Sequence, residues 1–161
     1  MRYLEQLNEH LNKVLAVVAG VALVSMMLVT VGNMFIRAIY VPFGGVSEVV
    51  GWLAAITTAF ALGYTQIHRA HVEIDLVVSR FPKKVQAVVE IIINFLGALL
   101  FAIVTWQVAN YGIRLWNVGI LSETLRFSFY PITMGVAFGF GSLTLVLFAD
   151  FMNSLIGVVK K

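Results

Sequence analysis

Along the chain, polar and charged positions fall into short clusters separated by four long runs. Val14–Ile36, Val49–Ile67, Ile91–Ile113 and Phe127–Ala149 hold 23, 19, 23 and 23 residues without one Asp, Glu, Lys, Arg or His. A helix needs roughly 20 apolar residues to cross the hydrocarbon of a bilayer. A barrel strand needs about half that number and alternates apolar with polar, so runs this long and even predict helices. The expected fold is an all-α integral membrane protein: one membrane domain over residues 1–161, with four transmembrane helices. The first run exceeds the roughly 7–15 apolar residues of a signal-peptide core and no small-residue cleavage pattern follows it, so it is expected to stay as an anchor.

A second periodicity lies inside the second run. Ser47, Gly51, Ala55, Ala59 and Gly63 recur every fourth position, which on a helix lines small side chains along one face. In a membrane, helices associate by close packing rather than by excluding water, and small residues let backbones approach. Gly135 and Gly139 repeat the spacing in the fourth run. Both faces are candidate helix contacts, either within the chain or with another subunit.

The connecting segments carry the remaining signals. Met1–Lys13 sets Tyr3, Leu4, Leu7 and Leu11 against Arg2, Glu5, Glu9 and Lys13, the stripe of an amphipathic helix lying on the membrane surface or running into the first span. Pro42, Gly44 and Gly45 mark a turn, after which Ser47 is placed to cap the second helix, with Glu48 in its first turn opposing the helix dipole. Glu48 has a second reading, as the partner of a basic group on another subunit. Between the second and third spans, Asp75 can start a short amphipathic segment, residues 76–81, lying in the interface. Pro82 opens the next helix. Arg69, Arg80, Lys83 and Lys84 are the candidates for lipid headgroups here. His68, His71, Glu73 and Asp75 invite a metal reading, but no further ligand falls at a usual motif spacing, and none is assigned. Asn33, Asn94, Gln107 and Asn110 read as hydrogen-bonding groups between helices, and Trp52, Trp106, Tyr111, Trp116 and Tyr130 as a belt at one membrane boundary.

Charge sets the orientation. The net charge of +3 raises the question of nucleic acid, but the basic residues are distributed by side. An even number of spans puts both termini together, with Arg2, Lys13, Arg69, Arg80, Lys83, Lys84, Lys160 and Lys161. The other side has only Arg37, Arg114 and Arg126. The excess predicts cytoplasmic termini, and no nucleic-acid partner is expected. No ionisable group lies in any run to act as a proton carrier, no facing histidines are placed to hold haem, and no nucleotide or hydrolase motif occurs. Neither a cofactor nor an enzymatic activity is expected, and the chain reads as a partner subunit.

A family resemblance agrees with this plan. Gly45, Ser47 and Glu48 opening the second helix, Trp52 and Ala55 within it, and the Arg69–Asp75 segment RAHVEID with Pro82 beyond are similar to the small membrane subunit of tripartite ATP-independent periplasmic (TRAP) transporters, the DctQ-like family. The resemblance implies a bacterial inner-membrane location and two protein partners beside phospholipids. One is a large membrane subunit carrying the substrate and sodium sites; the other is a periplasmic binding protein that delivers an organic acid such as a dicarboxylate, sialic acid or another sugar acid. On that reading Glu48, Gly51, Ala55, Ala59, Gly63, Gly135 and Gly139 are subunit-interface candidates. Arg37, Arg114 and Arg126 are candidates for docking the binding protein, and the chain itself binds no substrate. The alternative is an independent homo-oligomeric channel or carrier, lined by Asn33, Asn94, Gln107 and Asn110.

Overall fold

A computed structural model describes the chain over residues 2–41, 44–68 and 82–159. Four helices account for nearly all of it: α1 (Arg2–Ile39), α2 (Val46–Ile67), α3 (Lys83–Val118) and α4 (Tyr130–Val159). Each is long and apolar enough to cross a membrane. The helices outrun the charge-free segments that announced them. At 1.5 Å per residue, the 38 residues of α1 and the 36 of α3 span about 57 Å and 54 Å. Hydrocarbon is only about 30 Å thick, so both helices tilt or project beyond it. The amphipathic N-terminal stretch is thus the first part of α1 rather than a separate surface helix. The proposed interfacial segment 76–81 lies outside the described residues, as do Arg69, Arg80, His71, Glu73 and Asp75.

Helix ends follow local chemistry. Pro82 caps α3, where its missing N–H is no loss. Gly119 ends α3 in the left-handed conformation (φ 69°), with its N–H on the carbonyls of Leu115 and Trp116. The start of α2 differs from expectation. Gly45 is the cap and contributes only its backbone, its carbonyl accepting from Val49 N at 3.2 Å. Ser47 already lies within the helix and makes no capping bond. The chain thus enters α2 two residues earlier than a Ser47 cap would allow.

The helices form a row in the order α1, α2, α4, α3. A smaller contact joins α1 to α4, whereas among the described residues α3 packs on α4 and makes no comparable contact with α1 or α2. α1 seats Leu15, Ala19 and Ala22 toward α2, and Thr57 of α2 donates to the Ala19 carbonyl at 3.4 Å. Leu143 and Leu147 of α4 pack with Ala98 and Phe101 of α3 and Leu62 of α2. A row leaves much of every helix uncovered, which is why large apolar residues such as Val17, Leu28, Phe35, Leu100 and Ile103 are exposed. In water such a surface would aggregate; in hydrocarbon it is the lipid-facing surface.

Candidate functional site

Two polar junctions, one toward each end of the helices, hold them in register. At the end formed by the α1–α2 and α3–α4 loops, the first turn of α2 aims Glu48 at the α3–α4 loop. That loop is a miniature hairpin: Leu121 and Ser128 pair across it, and Ser122 N donates to the Phe127 carbonyl at 2.9 Å. Arg126 N closes the tip on the Ser122 carbonyl at 3.2 Å, with Arg126 itself in the left-handed region (φ 50°). The turn gathers donors at its mouth. Glu48 Oε2 accepts from Ser122 Oγ at 2.6 Å and from Leu125 N at 3.2 Å, and Oε1 accepts from Thr124 N at 2.9 Å. A carboxylate suits such a nest because charge-assisted bonds are short and strong. Glu48, in the first turn of α2 as expected, therefore also secures another element's turn. Trp52, one turn further along α2, reinforces the clasp, with its ring centroid 5.7 Å from Phe127 and 5.9 Å, edge-on, from Phe129. Trp116 and Tyr130 meet at 4.8 Å across the same loop. Three members of the expected aromatic belt thus pack within the chain as well.

At the terminal end, three helices meet on one amide. Asn12 of α1 is fully buried. Its Nδ2 donates to the Asn8 carbonyl and to Asn8 Oδ1, both at 2.9 Å, and its Oδ1 accepts from Ser142 Oγ of α4 at 2.9 Å. Gly63 of α2 makes the room, since a Cβ there would overlap the Asn12 carboxamide. One turn away Gly139 lies against the α2 backbone, where a Cβ would stand 2.8 Å from the Ala59 carbonyl oxygen. On the other side of Asn12, toward the helix ends, Gln66 Nε2 donates to Asp150 Oδ2 at 3.2 Å.

The small-residue face of α2 is therefore divided. Ala59 and Gly63 are buried against α4 and α1, while Ser47, Gly51 and Ala55 are exposed. Gly135 has nothing within 4 Å of a Cβ position. Arg37, Arg114 and Arg126 are exposed at the loop end. Lys83 and Lys84 form the start of α3. His68 ends α2 with its ring 4.1 Å from that of Tyr64. Asn94 is buried on α3. Sequence reasoning missed Asn12, Ser142 and the Ser122–Leu125 nest. A signal existed for the first two. Asn8, Asn12, Leu15, Ala19 and Ala22 continue one helical line, and Ser142 extends the Gly135–Gly139 face.

The family model for the DctQ component of tripartite ATP-independent periplasmic transporters matches residues 26–157, from the middle of α1 to the end of α4. The chain belongs to the DctQ family. No curated protein and no solved structure matches it. As a DctQ component it is the small membrane subunit of a TRAP transporter, a multi-pass inner-membrane protein of a transporter rather than an enzyme family. Family membership also places it in an assembly with the large membrane subunit and the periplasmic binding protein. The match includes Glu48 with its nest, Gly63 and Ser142, while Asn12 precedes it.

Proposed function

We propose that this DctQ subunit is a fixed scaffold in a sodium-driven, binding-protein-dependent uptake system for an organic acid, such as a dicarboxylate, sialic acid or another sugar acid. The observation that carries this reading is the row of helices itself. Among the described residues, a row in which α3 does not close onto α1 or α2 encloses no route across the membrane. An organic anion needs compensating donors or positive charge near the midplane, and the four charge-free runs offer no cation there. The polar groups of both junctions are used in holding helices together, as a scaffold requires. Substrate and sodium sites then belong to the large subunit. Arg37, Arg114 and Arg126 are exposed, available to acidic groups on a delivery protein.

Reconstitution tests the reading. Liposomes containing this chain alone, with or without the binding protein, are expected to show no sodium-driven uptake of the organic acid, and adding the large subunit is expected to restore it. Robust uptake by the isolated chain would overturn the scaffold role and favour the homo-oligomeric carrier. Orientation is tested separately. In a chain without native cysteine, Gly44→Cys and Glu123→Cys are expected to react with an impermeant thiol reagent in intact cells, and Ser79→Cys only after permeabilisation. The reverse pattern would place the termini outside.

A further inference from the structure

Helix α3 occupies one edge of the row and turns one face to α4, with Asn94, Ala98 and Leu115 buried along it. At 100° per residue, Gln107, Asn110, Arg114 and Asn117 fall on the opposite side, within about 80° of one another. Between 107 and 117 the other faces carry Val108, Ala109, Tyr111, Gly112, Ile113, Leu115 and Trp116, so the amides and the guanidinium share one line. Gln107, Arg114 and Asn117 are exposed and Asn110 is half-buried. Among the described residues none of the four has a hydrogen-bond or ion-pair partner. Arg114 and Asn117 stand near the loop end, where headgroups and water can serve them. Gln107 does not. It lies seven residues, about 10 Å along the helix, inward of Arg114 and within the charge-free run Ile91–Ile113. An amide at that depth has no partner among acyl chains, and its side chain is too short to reach the headgroups.

We propose that this outer edge of α3 receives a membrane-spanning helix of the large subunit, whose amide or hydroxyl side chains hydrogen-bond Gln107 and Asn110. The proposal rests on the reading of the chain as the small subunit of a two-component membrane assembly, and adds where the two meet. Depth decides the occupant: hydrogen-bonding groups within the hydrocarbon come from protein, and polar side chains there join helices. Leu100 and Ile103 continue the line below Gln107 as its apolar half, while Arg114 stands at its rim.

The test uses the co-expressed membrane complex. Benzoylphenylalanine introduced at Ile103 is expected to cross-link to the large subunit on irradiation, whereas the same probe at Val24 or Leu28, exposed on α1, is expected to give no such adduct. Gln107→Leu combined with Asn110→Leu removes no bond within the chain, so its level in the membrane should equal that of wild type. With interhelical bonds worth about 0.6 kcal/mol each, its association with the large subunit should weaken about five- to tenfold. Adducts at Ile103 with lipid alone or with a second copy of this chain, adducts from α1 only, or undiminished association of the double variant would overturn the assignment. Failure of the wild-type chain to co-purify with the large subunit would instead overturn the subunit reading, and this proposal with it.

Discussion

Gly63→Ala is expected to disrupt the junction of α1, α2 and α4 and to lower stability by about 1–3 kcal/mol, the usual cost of overpacking a tight site. The new methyl would overlap the Asn12 carboxamide, which cannot withdraw without giving up Asn8 or Ser142. Asn12 is fully buried, so a displaced amide has no water to turn to. The double variant Asn12→Ala, Gly63→Ala removes the obstruction, and Ser142 can satisfy its hydroxyl on its own helix. It should therefore be more stable than Gly63→Ala alone, a coupling of opposite sign to the single effects. Thermal unfolding in detergent or nanodiscs measures all three. Equal melting of wild type and Gly63→Ala would show that α1 and α2 do not approach so closely there. Gly51→Ala, at a position with nothing within 4 Å of a Cβ, is the matched control and should leave the isolated chain unchanged.

Removing the Glu48 carboxylate should release the α3–α4 loop. In Glu48→Ala the Thr124 and Leu125 amides lose their acceptors on α2, although Leu125 N retains Ser122 Oγ at 3.2 Å. Hydrogen exchange at Thr124 should then rise to the rate of an open loop, while amides within α3 and α4 keep their protection. Glu48→Gln should give an intermediate result, because its single amide oxygen replaces only one of the two acceptors. Trp52 offers a second readout. It packs on Phe127 and Phe129 of the same loop, so its emission should move to longer wavelength when the loop opens, in a background where Trp106 and Trp116 are replaced by Phe. Unchanged exchange at Thr124 would mean that the hairpin holds itself closed through Ser122 and Arg126 alone. If the loop helps receive the binding protein, Glu48→Ala should also weaken substrate uptake by the assembled transporter without changing co-purification of the two membrane subunits.

Sequence alone determined the four spans, because in hydrocarbon a charge-free run of about 20 residues has few alternatives to a helix. It also pointed to Glu48, Ala59, Gly63 and Gly139 as positions of close contact or polar pairing. The charge-free runs are shorter than the helices, since α1 and α3 continue through the polar turns marked by the N-terminal stripe and by Pro82. Which helices are neighbours was decided only by the tertiary structure. Apolar faces of membrane helices look alike in composition, so the row α1, α2, α4, α3 is fixed by the fit of small residues and a few polar pairs. Those pairs join distant parts of the chain: Glu48 and Ser122 are 74 residues apart, Asn12 and Ser142 are 130 apart. Local spacing holds no record of such partners. Glu48 looked like a cap for its own helix because an acid in a first turn satisfies that rule unaided, and only the folded loop supplies the donors that claim it.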